Sequence, residues 1–221
     1  MSQITSSLNI SDYTSFAQLK KKIKSYLNEI NCSDFKISNY GKGLVITLVM
    51  ILEELLSDCL KHVTKNETDG LYKITPLILT TVINDGNKYS FMLKYLKTFN
   101  SKLRFSESIF FNIKKVLDNL ESKYGTKLMI TVDSANLISY IILTLQYELV
   151  DLSVRMVRYS KKRTLNINVL KSSSGFILTD DIKSKVELKL DSIDEEKEKN
   201  IEVEEEEAEA EVEEDEEEED D

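Results

Sequence analysis

The stretch Leu44-Val-Ile-Thr-Leu-Val-Met-Ile-Leu-Glu-Glu-Leu-Leu-Ser-Asp-Cys-Leu-Lys-His-Val63 has a counterpart 93 residues later, Leu137-Ile-Ser-Tyr-Ile-Ile-Leu-Thr-Leu-Gln-Tyr-Glu-Leu-Val-Asp-Leu-Ser-Val-Arg-Met156. In the first, Leu44, Leu48, Leu52, Leu55, Cys59 and Val63 recur at steps of three and four. In the second, Ile138, Ile141, Leu145, Leu149, Leu152 and Met156 do the same. That period places each set on one face of a long helix. Glu53, Glu54 and Asp58 interrupt the first stretch, and Glu148, Asp151 and Arg155 the second. Each such charge costs about 2.5–3.5 kcal/mol at the centre of a bilayer. Both stretches therefore read as core helices, and no membrane partner is expected.

The 93-residue offset reaches beyond the long helices. It pairs Phe16 with Ile109, Ile23 with Val116, Leu27 with Leu120, Ile37 with Ile130 and Ser38 with Thr131. A single match of this kind carries little; a matching order of elements carries more. Each half opens with a short amphipathic helix, Ser15–Ile30 or Glu107–Lys123. An extended loop follows near Phe35–Ser38 or Leu128–Thr131, where Ile and Thr favour strand geometry. The long helix then starts beside capping residues, Ser38 in one half and Thr131 or Asp133 in the other. Polar loops close it, at Thr64–Lys73 and Ser160–Arg163, and a short apolar segment opens at Ile74 or Leu165. Thr75-Pro76 predicts a helix start, and Asp85-Gly86 its stop. In the second half, Ser172-Ser-Ser-Gly175 predicts a broken third helix, because these residues have poor helix propensity.

Charge divides the chain differently. Residues 191–221 hold 21 acidic groups against 2 lysines, a net of −19, whereas the whole chain nets −10, so residues 1–190 carry +9. A basic body with an acidic tail points to a polyanion partner and away from a uniformly acidic enzyme. The uninterrupted like charge predicts a disordered tail. Cys32 and Cys59 are the only cysteines and His62 the only histidine. Without CxxC spacing, no metal site is expected, and both thiols read as buried structural groups. Met1–Ser11 has neither a basic start nor an apolar run, so no signal peptide is expected. With two free thiols, that suggests a reducing compartment. Gly41-Lys-Gly43 is too short for a phosphate-binding loop, and no convergent acid–base set is visible. No catalysis, cofactor or small-molecule substrate is expected.

Helix, strand-like loop, long helix, strand-like loop, helix is the order of the histone fold. The segment Glu148-Leu-Val-Asp151-Leu-Ser-Val-Arg-Met-Val-Arg158-Tyr-Ser-Lys161-Lys162-Arg163-Thr164-Leu, with its lead-in Asp133-Ser-Ala-Asn-Leu-Ile, resembles histone 2A. Ile37-Ser-Asn-Tyr-Gly-Lys-Gly-Leu and Lys73-Ile74-Thr75-Pro-Leu-Ile-Leu-Thr-Thr-Val82-Ile resemble histone 2B, and Tyr89–Phe99 lies where that family carries a C-terminal helix. The resemblance covers about residues 12–175. It implies an all-α protein in which two tandem histone folds pair as an intramolecular heterodimer, followed by a disordered acidic tail. The expected organisation is a flexible N-terminus at 1–11, a histone 2B-like fold at 12–100, a histone 2A-like fold at 101–190, and the tail at 191–221. Fused doublets in this order occur in giant DNA viruses, where they form nucleosome-like particles with a second doublet.

The resemblance further implies a DNA interface at the paired loops: Lys36, Lys42 and Lys127 near the entry loops, and Lys73, Lys161, Lys162, Arg163 and Thr164 in the exit loops. Taken alone, a basic loop of this kind reads first as a solvated surface; Lys20, Lys21, Lys22 and Lys24 on the first helix read equally as a solvated face or as phosphate contacts. Glu148 and Asp151 fall where histone 2A contributes to an acidic patch; their plain reading is a solvated helix face. The implied partners are double-stranded DNA and a second doublet or a histone 4/histone 3-like pair, in the host nucleus, the viral factory or the virion. Two other readings stay open: a histone-fold subunit of a transcription factor, and an acidic-tailed histone chaperone. The tail itself would cover the basic surface, compete with DNA, or recruit basic proteins.

Overall fold

The computed structural model describes residues 16–63, 72–101 and 113–192, and these are mostly helical. The expected flexible N-terminus, most of the polar loop at Thr64–Lys73 and nearly all of the expected tail lie outside them. The first half runs α1 (Phe16–Glu29), β1 (Lys36–Ile37), α2 (Tyr40–His62), β2 (Tyr72–Ile74) and α3 (Pro76–Asn84). A 3-10 turn at Ser90–Met92 then leads into α4 (Leu93–Thr98). The second half runs α5 (Ile113–Tyr124), β3 (Leu128–Ile130), α6 (Val132–Tyr159), β4 (Thr164–Leu165) and α7 (Ile167–Ile177). A further helix, α8, spans 180–192.

The strands pair across the halves. β1 lies parallel to β4, with Lys36 opposite Thr164 and Ile37 opposite Leu165. β2 lies parallel to β3, with Tyr72, Lys73 and Ile74 opposite Leu128, Met129 and Ile130. Each half thus lends its first strand to the other half's second. The β1–β4 pair abuts the N-terminus of α2 and follows the C-terminus of α6. The β2–β3 pair follows the C-terminus of α2 and abuts the N-terminus of α6. A helix rises 1.5 Å per residue, so α2 and α6 are roughly 34 and 42 Å long, and the two pairs sit at opposite ends of both.

One apolar cluster runs through both halves. The pairs related by the 93-residue offset are buried together: Ile23 and Val116, Leu27 and Leu120, Leu44 and Leu137, Leu48 and Ile141, Leu52 and Leu145, Leu56 and Leu149. α2 packs on α1 and α3 of its own half and on α5, α6 and α7 of the other. α6 is long and apolar enough to cross a membrane. Its stripe of Ile138, Ile141, Leu145 and Leu149 is instead buried, and α2, α3, α4 and α7 pack on the helix. Both cysteines are fully buried, and burial, followed by the neighbouring Asp58 charge, pushes the Cys59 thiol up to about 12.

The helix ends follow local chemistry, with two departures from the expected pattern. Thr75 caps α3, its hydroxyl accepting from the Ile78 amide at 3.4 Å, and Pro76 occupies the first turn. The helix stops before Gly86, whose φ of +86° suits a residue without Cβ. Thr131 caps α6 through the Ser134 amide at 3.2 Å. Ser38 does not cap α2: its amide donates to Leu165 O at 2.9 Å, extending the β1–β4 ladder, and Asn39 takes the cap position without a side-chain bond.

The second departure is α7, which runs unbroken through Ser172–Gly175. The serines do not compete destructively with the helix, because each hydroxyl donates back to a carbonyl of the preceding turn: Ser172 to Asn168, Ser173 to Leu170, Ser174 to Lys171. Ser173 and Ser174 are fully buried. Their small size lets α7 lie close against α6, and tertiary packing outweighs a propensity deficit of a few tenths of a kcal/mol per residue. Ser153 of α6 donates to Ser173 Oγ at 2.8 Å and receives a hydrogen bond from buried Tyr40 of α2 at 3.0 Å. This polar chain locks α2, α6 and α7 in one register.

Toward the other end of α2, Asp58 anchors the connector between α3 and α4. It accepts from Lys61 at 2.6 Å, Lys88 at 2.5 Å and the Tyr89 hydroxyl at 2.8 Å. Burial alone would raise its pKa; the three donors outweigh burial and hold the carboxyl at about 2. A folded-state pKa below the unfolded one means that the unfolded chain binds more protons in that window. The contribution is therefore full above about pH 4 and lost as pH falls through about 2. Asp58→Asn is expected to cost about 1–2 kcal/mol in urea unfolding at pH 7, with the difference from the unsubstituted chain closing between pH 4 and 2. A difference constant over that range would deny Asp58 this role.

Candidate nucleic-acid interface

At the β1–β4 end, strand alternation sorts the side chains. Ile37 and Leu165 turn inward, Leu165 being fully buried, while Lys36 and Thr164 face out. Lys36 N donates to Arg163 O at 2.8 Å, which lays the backbone of Lys36 along the end of the α6 exit loop. Lys161, Lys162 and Arg163 are exposed on that loop, and Lys42 lies in the first turn of α2. Unlike α3, α6 and α7, α2 begins without a side-chain bond from its cap residue, and its first turn is packed into the body, with Tyr40, Gly41 and Gly43 buried and Lys42 half-buried. Asp34 pairs with Arg163 at 2.9 Å; both are well exposed, which makes the pair weak and readily exchanged for a phosphate.

The exit loop is set by the way α6 terminates. Lys161 N donates to Arg158 O at 3.1 Å and Lys162 N to Val157 O at 3.0 Å, the paired bonds of a Schellman turn. The left-handed position of such a turn is usually glycine; here it is Lys161, with φ of +56°. Asn31, at φ +57°, fills the same role after α1, and Arg158 ties the two turns together by donating to Ile30 O at 3.1 Å. A left-handed lysine costs about 1–2 kcal/mol, and glycine would give back about 0.4–1 through the unfolded chain. Lys161→Gly is therefore expected to stabilise the fold by about 0.5–1 kcal/mol, read as a higher urea midpoint, while removing one exposed cation from this end. A lowered midpoint would show that the lysine side chain supports the fold itself.

At the β2–β3 end, Ile74 and Leu128 are buried while Lys73 and Met129 face out. Tyr72 N donates to Lys127 O at 3.2 Å, which holds Lys127 against the start of β2, one residue before Lys73. Thr131 N and the Ser134 hydroxyl both donate to Ile74 O at 3.1 Å, and Glu121 accepts from the Leu128 amide at 2.6 Å. Leu77 and Val132, in the first turns of α3 and α6, are largely exposed nearby. The eight residues expected at the interface thus fall into two groups: Lys36, Lys42, Lys161, Lys162, Arg163 and Thr164 at one end, Lys73 and Lys127 at the other.

Glu148 and Asp151 share a face of α6 but have different partners. Glu148 accepts from Lys94 and from the Tyr95 hydroxyl of α4, and burial, then the Glu148 charge, raises the Tyr95 pKa. Asp151 pairs with Arg155 and accepts from Tyr26 of α1 at 3.3 Å. Both carboxylates fasten neighbouring helices to α6 and keep about a third of their surface exposed.

Sequence reasoning missed α8 and the charge cluster beneath it. Glu54 accepts from Lys88 at 2.9 Å and from Lys185 of α8 at 2.6 Å. Beside it, Asp58, Lys61, His62, Val82, Asp85, Lys88 and Tyr89 line a cleft of about 190 Å³. The sequence carries the signal for α8: Ile182, Val186 and Leu190 recur every four residues, in step with Leu178 just ahead of the helix, after the hydroxyl of Thr179 and with Asp180-Asp181 in the first turn. No protein-family model matches the chain, and no curated protein matches it.

Proposed function

We propose that this protein packages DNA as a histone doublet: a histone 2B-like and a histone 2A-like fold paired within one chain, binding duplex phosphates without regard to sequence. The observation that carries the reading is the crossed pairing of strands, β1 with β4 and β2 with β3, each pair bordered by exposed cations. Backbone-directed binding needs cations and helix N-termini at fixed spacing on a rigid body, and no base-reading element. The role is structural rather than catalytic. Its partners are double-stranded DNA and a second doublet or a histone 4/histone 3-like pair. The composition of the sequence and the fused order fit viral chromatin, in the host nucleus or viral factory and in the virion.

The test is a competition. Mixed with random-sequence duplex DNA and with basic core histones at moderate salt, the protein should retain the DNA. Retention of histones alone would instead make it a chaperone. Strong preference for one short sequence would make it a transcription-factor subunit.

A further inference from the structure

α8 determines where the acidic segment leaves the body. Near its start, Thr179 donates to Lys88 O at 2.6 Å and Lys185 to Glu54 at 2.6 Å, beside the C-terminal half of α2. Near its end, Leu190 lies over Gly43 in the first turn of α2: a Cβ there would stand 3.2 Å from Leu190 Cδ2, and 3.0 and 3.3 Å from Leu170 and Ile167 of α7. Asp191 is held to Lys171 at 2.8 Å. Asp191 and Ser192, the first residues of the expected tail, are thus the last turn of a packed helix. α8 runs back along α2 and releases the chain beside Lys42 and the β1–β4 pair. The β2–β3 pair lies at the far end of α2.

We propose that segment 193–221 binds in cis to the cations of the β1–β4 end, competing there with DNA phosphate and leaving the β2–β3 end open. The segment holds 20 carboxylates against 2 lysines, opposite Lys36, Lys42, Lys161, Lys162 and Arg163. Its full length would reach roughly 100 Å when extended, so reach alone does not select an end. Proximity does. Effective concentration falls steeply with the span a tether must cover, and the β2–β3 end lies roughly 34 Å away, the length of α2. The competition with DNA rests on the packaging reading; the contact between tail and body does not.

Two arms separate those claims. In the first, the full chain is treated with a carbodiimide, which joins carboxylates to lysines in contact, as an equal mixture of light and isotope-labelled protein. Links from 193–221 should fall on Lys36, Lys42, Lys161 and Lys162 of the same chain and vanish in high salt. Links falling equally or mainly on Lys73 and Lys127, or only between chains, would overturn the proposal. In the second, a chain ending at Ser192 is compared with the full chain for duplex binding at about 0.05 M salt, with about tenfold tighter binding expected. That gain should disappear with Lys161, Lys162 and Arg163 changed to Gln, and survive Gln at Lys73 and Lys127; the reverse pattern overturns the proposal. If neither chain binds DNA, the packaging reading fails, and the crosslinks still decide where the tail docks.

Discussion

Residues 12–100 expressed without the rest of the chain should yield no monomeric, cooperatively folded protein, whereas 12–192 should be a monomer with a sharp unfolding transition. The isolated half keeps α1 and α3 against α2 but loses α5, α6 and α7. Exposing half a dozen large apolar side chains of α2 to water costs about 10–20 kcal/mol, as much as the whole stability of a typical domain, about 5–15 kcal/mol. Hydrogen bonding makes matters worse. The amides of Lys36, Ser38 and Tyr72 lose the acceptors Arg163, Leu165 and Lys127, and the Tyr40 hydroxyl loses Ser153. The half should sediment as oligomers and give a broad, featureless urea titration. Adding residues 101–192 should restore the transition, with a midpoint that rises with concentration. In the fused chain the midpoint should be concentration-independent, because the tether supplies roughly millimolar effective concentration. A sigmoidal transition for the isolated half as a monomer would remove the case for two mutually dependent halves.

That interdependence explains how much of the fold is legible in the sequence. The 93-residue offset works because both halves solve one packing problem with the same spacing, so Leu44 and Leu137, or Leu52 and Leu145, become equivalent positions of one core. Thr75-Pro76 and Thr131 are legible because a cap is decided within four residues. The strand partners are not legible in that way. A two- or three-residue strand such as Lys36–Ile37 has too little pattern to specify a register, and only the crossing of α2 and α6 brings it to Thr164–Leu165. Ser172–Gly175 misled because propensity measures an isolated helix, while Ser173 lies against Ser153 in a buried seam. The candidate interface residues are legible as charges and not as groups. Their division into a larger set around β1–β4 and a pair at β2–β3 depends on that crossing.

Binding to duplex DNA should weaken by about 10⁴ between 50 and 200 mM salt, nearly equally for unrelated sequences. Each phosphate neutralised on B-DNA contributes about −0.9 to the slope of log affinity against log salt, through the counterions it releases. The two ends together present seven cations: Lys36, Lys42, Lys161, Lys162 and Arg163 at one, Lys73 and Lys127 at the other. Full engagement gives a slope of about −6. The chain ending at Ser192 is the one to measure, since the acidic segment would add a salt dependence of the opposite sign. Gln at Lys161, Lys162 and Arg163 should flatten the slope by about 3, and Gln at Lys73 and Lys127 by about 2, each without creating sequence preference. Asp34→Asn should tighten binding modestly, because Arg163 then meets phosphate without first leaving a carboxylate. A slope near −1, or one untouched by both sets of substitutions, would mean that DNA is held elsewhere or not at all. A slope lost at one end only would mean that a single strand pair carries the contact, and a doublet gripping DNA at one end cannot wrap it.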